Sequence, residues 1–512
     1  MTATLLASFV AAYFLLLLAV AWRTSRGADN ESFFIGNRSS HWALVAFGMV
    51  GTSLSGVTFI SVPGAVGATS WTYLQIVLGH VLGYVIVACV LLPLYYRLRV
   101  TSIYHFLQVR LGPQSYRTGA GFFILSRTLG ATARLYLVVR ILQDMILDSL
   151  GMPFWLTSAI IITMIVLYTL HGGVKTIVWT DTLQTAGMLF GLVACTAFLL
   201  LALKATPLDA LALMREQQLA TIFATDPLAK SFWLKQVVAG AFIAIAMTGM
   251  DQEMMQKNIS VRTLAGAQKN MLVLAGVLLG VVLLFLYLGA LLQLFALQAG
   301  VAARGDRLFP AVVMQHLPVA MQLIFVLALI SALFPSADGA LTALTSSFCI
   351  DILGMQRRAA WSEAKRRHVR HTVHLSFALL FMALVLGFRW LDDPSMIGLI
   401  LKIAAYTYGP LLGLFAFGIL TNRPVRDGWV PAVAISAPLV CAWIDANQSA
   451  LFGGYQVGLE MLLINGALTF AGLWLLPPAW GKVGMGVDAA TTSSPRAALD
   501  PLPSPPPAWG RE

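Results

Sequence analysis

About thirteen stretches of this chain are apolar over ~20 residues, the length a helix needs to cross the hydrocarbon layer of a membrane. They fall near 3–22, 42–68, 72–97, 118–147, 153–171, 176–203, 233–255, 270–298, 319–353, 371–391, 396–420, 429–446 and 456–476. Of the residues, 58% are hydrophobic and only 11% charged, against about 25% charged in a soluble protein. The chain is therefore read as an all-α integral membrane protein and not as a soluble globule. The first run has no basic stretch before it and no small-residue cleavage site, and Arg23 and Arg26 follow it, so it is a retained helix and not a signal peptide.

The formal net charge is +11, from 33 Lys+Arg against 22 Asp+Glu. In a soluble protein that excess points to nucleic acid; here its distribution among the loops decides, because basic residues collect on the cytoplasmic side. With alternate loops assigned to alternate sides, about 22 basic residues fall inside and about six outside. The densest loop carries Arg357, Arg358, Lys365, Arg366, Arg367 and Arg370. The asymmetry implies an odd number of spans, with the N-terminus outside, the C-terminus cytoplasmic and no nucleic-acid partner. Membrane lipid and a small solute are the partners expected.

The organisation expected is a first helix and cytoplasmic loop over 1–41, helices over 42–204, an external loop over 205–232, helices over 233–420, two peripheral helices over 421–476 and a disordered cytoplasmic tail over 477–512. The loop holds a short surface helix around Ala210 to Leu219, and the tail is rich in Pro, Ala and Ser. Cys89, Cys195, Cys349 and Cys441 lie in apolar runs without CxxC pairing, which reads as buried small apolar residues.

Polar residues inside spans are costly, which makes them functional candidates. The second run contains Gly48, Gly51, Thr52, Ser53, Ser55, Gly56 and Thr58, with Pro63 and Gly64 behind. Glycine weakens a helix by about 1 kcal/mol relative to Ala, so a break is expected there, freeing carbonyls for protein, water or a cation. Close packing through small residues is the competing reading. The ninth run carries Ser331, Ala332, Pro335, Ser336, Asp338 and Gly339; Ser336 and Asp338 point about 200° apart and serve different neighbours. Asp181 lies inside the cytoplasmic end of the sixth run, which opens with His171, Gly172 and Gly173. The seventh run ends in Asp251, Gln252, Glu253, Gln256 and Lys257, where interfacial anchoring is the cheaper explanation. Arg127, Arg134 and Arg140 in the fourth run recur at near-seven spacing, on a face expected to meet protein, water or carboxylates such as Asp144.

Several of these segments together resemble the sodium:solute symporter family. The matching stretches are Phe33, Phe34, Ile35, Gly36, Asn37 and Arg38; Gly51, Thr52, Ser53, Leu54, Ser55 and Gly56 with Thr58, Phe59 and Ile60; Gly172 and Gly173 with Trp179, Thr180, Asp181 and Gln184; Asp251 and Gln252 with Gln256 and Lys257; Ser336, Ala337 and Asp338 with Leu341, Asp351 and Ile352; and Tyr408, Gly409 and Pro410. The likeness runs from about residue 30 to about 420. It implies a LeuT-type fold, two inverted repeats of five helices with one helix before and two after, and sodium-coupled symport of a small organic solute or anion by alternating access across the cell (inner) membrane.

Carried over by position, the resemblance puts the coupling Na+ on carbonyls of Gly51, Leu54 and Ala332 and the hydroxyl of Ser336, while its other hydroxyl position holds Pro335. A second cation or proton site would use Asp181, with Asp338 and Gly339 where relatives have hydroxyls. Substrate positions fall on Val57 and Thr58, Tyr73 or Gln75, Asp251, and Tyr406 or Tyr408. A carboxylate at Asp251 favours a cationic or hydroxyl-rich solute.

The chain is not read as an enzyme or a nucleotide-driven pump. No GxxxxGK[ST] cradle occurs, and His368, His371 and His374 spread over about 200° of helix, unlike a metal site. The alternatives are a proton-coupled carrier using Asp338 or Asp181, and a transporter-like sensor.

Overall fold

The computed structural model describes residues 3–24, 33, 40–358, 360–390 and 396–476, without the side chains of 3, 4, 6, 7, 145, 146 and 171–175. Positions 34–38 of the first motif and the tail from 477 onward lie outside them. In chain order the main helices are α1 (Ala3–Thr24), α2 (Trp42–Ser53), α3 (Gly56–Thr69), α4 (Tyr73–Arg97), α5 (Pro113–Leu142), α6 (Phe154–Ala202), α7 (Trp233–Gly249), α8 (Gln252–Ile259), α9 (Leu264–Ala299), α10 (Val319–Ile352), α11 (Glu363–Phe388), α12 (Met396–Thr407), α13 (Gly409–Leu420), α14 (Asp427–Ala446) and α15 (Met461–Leu475). Among the described residues the only extended pairings are single bridges, Ser40 with Val261 and Ala224 with Phe232.

Among the described residues seven helices are long and apolar enough to cross a membrane, or up to ten if each of three bent pairs is one crossing; Ser8–Thr24, Phe154–Leu170 and Met461–Leu475 are shorter apolar helices. The runs expected at 153–171 and 176–203 carry helical hydrogen bonding through 171–175, yet the side chains of Tyr168 and Gln184 meet, so the chain reverses between Phe154–Leu170 and Thr176–Ala202 and the two runs are separate apolar helices.

The first break falls where the glycines and hydroxyls predict it. Leu54 N–H donates the last ladder bond of α2 to the Val50 carbonyl (2.8 Å), and the ladder resumes when Phe59 N–H donates to the Ser55 carbonyl (3.1 Å). Between them α2 and α3 bend by 55°. Gly51 leaves room for its neighbours: a Cβ there would overlap Thr185 Oγ1 of α6 and lie 3.6 Å from Pro335 Cγ of α10.

The interfacial reading of the segment after Gly249 is corrected. α7 and α8 meet at 64°, and every residue of α8 is buried, so the polar run turns back into protein. Tyr95 donates to the Gly249 carbonyl (2.7 Å) and Tyr104 to the Met250 carbonyl (3.0 Å). Asp251 caps α8 by accepting from Met254 N–H (3.1 Å). A third bend, of 44°, separates α12 from α13 at Tyr408.

Each of the first two bent pairs packs against the helix that follows the other. A Cβ on Gly79 of α4 would lie 2.8 Å from Ala241 N and 2.9 Å from Gly240 Cα of α7. One on Gly289 of α9 would lie 2.6 Å from the Pro63 carbonyl of α3. Small residues thus let the main chains approach, as membrane helix pairs without a hydrophobic driving force require.

The short helix expected between the sixth and seventh runs is found at Pro207–Glu216, with Thr206 and Asp209 bonding each other's main-chain N–H groups in a capping box. Those bonds hold the Asp209 carboxyl below the usual carboxylate range. Cys195, Cys349 and Cys441 are buried as expected from their runs, but Cys89 sits on the exposed face of α4.

Candidate functional site

A cavity of about 120 Å³ opens beside the first break. α3 contributes Thr58, α4 contributes Tyr73 and His80, α5 contributes Arg127 and Arg134, and α12 closes it with Ile400. Of the expected substrate positions, Thr58 and Tyr73 line this cavity, as does Val57. Gln75 does not. Two residues from Tyr73 on a helix, it faces about 200° away and donates to the carbonyls of Thr72 (3.0 Å) and Ser231 (3.3 Å).

Tyr406 is also elsewhere, donating to Asp445 (2.9 Å) and lining a separate cavity of about 320 Å³ with Lys402. Asp251, expected to read a cationic or hydroxyl-rich solute, is committed to protein: it accepts from Tyr408 OH (2.6 Å) and lies 3.8 Å from Arg127. The arginine spacing on α5 held the missing signal. Arg127 pairs with Glu253, whereas Arg134, one heptad later and half-buried, pairs with no carboxylate among the described residues. Arg140 meets Asp144 at 3.9 Å near the surface, as its face suggested.

Beneath the cavity, α2, α6, α8 and α10 bring a cluster of charges together. Lys257 Nζ lies 2.7 Å from both Asp181 Oδ2 and Thr52 Oγ1, and 3.6 Å from Glu253 Oε1. Thr52 donates to Asp181 (3.2 Å). Asp181 is fully buried, with Glu253 1% and Lys257 3% exposed, so the sequence reading that left Asp181 between cap and interior resolves to interior. Asp338 accepts from Tyr168 OH (2.8 Å). Gly339 faces the same cluster, since a Cβ there would lie 2.8 Å from Glu253 Cδ and 3.1 Å from Lys257 Nζ. In a low-dielectric interior such charges persist because each carboxylate has a cation or donor at contact distance.

The stretch of α10 expected to face the first break does so. A Cβ on Gly56 would lie 3.7 Å from Leu333 Cα, and Ser336 Oγ, buried, donates to the Leu333 carbonyl (2.9 Å). Pro335 has no N–H, so the Ser331 carbonyl one turn earlier loses its ladder partner. The substitution that removes a hydroxyl thus frees a carbonyl one residue from Ala332. His374 is held between the hydroxyls of Thr169 and Thr345, at 2.9 Å each, and not with His368 and His371.

A helical membrane chain with a broken span, a polar cavity beside it and buried charges below is built as a secondary transporter. The model of the sodium:solute symporter family matches residues 33–435, and the chain belongs to that family. It is a sodium-coupled carrier of a small-molecule solute, not an enzyme. It is 22% identical over 479 residues to the sodium/sialic acid symporter SiaT of Proteus mirabilis (strain HI4320), covering 89% of this chain and 92% of that one. To the sodium/sialic acid symporter NanT of Aliivibrio fischeri (strain ATCC 700601 / ES114) it is 23% identical over 460 residues, with 87% and 88% covered. The fold resembles the solved substrate-bound, outward-open state of a Na+-coupled sialic acid symporter, with a TM-score of 0.79 at 19% identity over 92% of this chain and 98% of that one.

Proposed function

We propose that this carrier takes a small carboxylate-bearing solute, held in the cavity beside the first break with its carboxylate on Arg134. The observation that carries the reading is a guanidinium lining a membrane-embedded cavity without a carboxylate partner. Such a group demands an anion, and a planar fork of donors fits a carboxylate bidentately. Tyr73 and Thr58 offer hydroxyls to the rest of the solute, and Ile243, Met247 and Ile400 offer apolar wall. Sialic acid, for which the two relatives are named, is itself an organic acid. With Asp251 engaged by Tyr408, the cationic solute is disfavoured.

The coupling Na+ sits at the first break, on the carbonyls of Gly51, Leu54 and Ala332 and the Ser336 hydroxyl. Carbonyls at the end of a helix lack ladder donors, and no described side chain donates to those of residues 51–54. The three bent pairs, the seven unbent spans and the three shorter apolar helices fit thirteen crossings. The reciprocal packing of the first two bent pairs fits inverted repeats over 42–204 and 233–420, with one helix before and two after. The basic loops orient the N-terminus outward and the C-terminus to the cytoplasm of a cell membrane.

Sodium-driven uptake of a panel of radiolabelled hydroxy acids, sugars and amines into proteoliposomes tests the solute class. Carboxylates are taken up, Arg134→Gln loses them by about ten- to a hundredfold, the worth of a charge-assisted hydrogen bond, and Arg134→Lys keeps part. Uptake of neutral sugars that Arg134→Gln leaves intact would overturn the reading.

A further inference from the structure

The charge cluster below the cavity contains more than packing requires. Asp181 on α6 and Glu253 on α8 converge with the Thr52 hydroxyl of α2, one residue from Gly51. Carboxylate and hydroxyl oxygens from separate helices are the donor set that holds a hard monovalent cation. Here the centre of that set is occupied by an ammonium of the chain itself, 2.7 Å from Asp181 Oδ2 and from Thr52 Oγ1 and 3.6 Å from Glu253 Oε1. The set has spare capacity: Asp181 Oδ1 and Glu253 Oε1 are buried without a hydrogen-bond partner. Glu253 meets Arg127 through its other oxygen.

We propose that Lys257 is a tethered cation that stands in for a second bound sodium between α2, α6 and α8, so that the carrier runs on the single Na+ of the first break. This rests on the sodium site proposed above. Lysine suits the role because its compact ammonium carries three donors on a flexible stem. The ammonium neutralises the cluster permanently and ties α8 to α2 beside the break. It also excludes a metal ion by charge and by volume.

Counting bound sodium tests this directly. Purified wild-type protein is titrated with radioactive sodium in a binding assay, and the Hill coefficient for sodium is read from uptake in proteoliposomes. Wild type is expected to bind one sodium per chain, with a Hill coefficient near one, and Asp181→Asn is expected to leave that count at one. Lys257→Gln opens the acid set and raises the count and the coefficient toward two, and Lys257→Gln with Asp181→Asn returns both to one.

Two sodium ions bound by wild type, falling to one in Asp181→Asn, would overturn the lysine proposal while leaving the first site standing. No sodium bound at all would instead remove the first site, and this proposal with it. Should Lys257→Gln fail to fold, the wild-type and Asp181→Asn counts decide. A folded Lys257→Gln that still binds one sodium refutes the substitution of lysine for metal.

Discussion

Replacing Gly51 by alanine asks whether the first break is held open by its neighbours or only by weak helix propensity. On propensity alone the change favours helix by about 1 kcal/mol. The packing opposes it. The new methyl overlaps Thr185 Oγ1, while Thr185 Cβ stands 3.4 Å away and Pro335 Cγ 3.6 Å, both ordinary contacts. A forced methyl in a packed interior costs about 1–3 kcal/mol, with the lower end applying if Thr185 turns to its other helical rotamer. If that strain falls on the proposed sodium ligands, half-saturation for sodium rises by about 5- to 150-fold, at 1.4 kcal/mol per tenfold.

The rescue is specific. Thr185 Oγ1 is buried without a partner, so Thr185→Ala alone is close to neutral, and Gly51→Ala with Thr185→Ala recovers sodium affinity because only the ordinary contacts at 3.4 Å and 3.6 Å remain. The assay is the sodium dependence of solute uptake in proteoliposomes, with sodium-dependent thermal unfolding as a second readout. A Gly51→Ala variant with wild-type sodium dependence, or one that Thr185→Ala does not rescue, would refute the argument.

Further outcomes test neighbouring contacts. Ser336→Ala removes a proposed ligand and raises half-saturation for sodium several-fold, about 1 kcal/mol for one neutral polar contact; unchanged half-saturation in sodium titrations of uptake would count against the assignment. Tyr408→Phe removes a 2.6 Å hydrogen bond to the buried Asp251 carboxylate. That loss destabilises by about 1.5–3 kcal/mol, visible as a lower unfolding midpoint in detergent, and an unmoved midpoint would show that the bond is not formed.

The all-helical, membrane-spanning character was legible because apolar length is a property of local sequence. The first break was legible for the same reason: glycines and hydroxyls crowd within one turn either side of Leu54. The second was not, because Asp251, Gln252 and Glu253 end an apolar run, and a sequence cannot distinguish a chain that leaves the membrane from one that folds back into protein. Only the hydroxyls of Tyr95 and Tyr104, distant in sequence, reveal that the carbonyls there are buried. For the cavity, Thr58 and Tyr73 followed from position, but the choice between Tyr73 and Gln75 needed the helix azimuth. Which α5 arginine remained unpaired depended on where α8 delivers Glu253.

The tyrosines at the second bend have one more consequence. Their hydroxyls occupy the main-chain oxygens that the kink exposes, so that bend has the same electrostatic partners whatever salt bathes the protein. At the first bend no side chain has been supplied for the purpose among the described residues. On the proposed reading, only one of these two otherwise similar elbows can sense ionic composition, and the asymmetry between them is what lets a gradient act on one half of the molecule while the other serves as its fixed abutment.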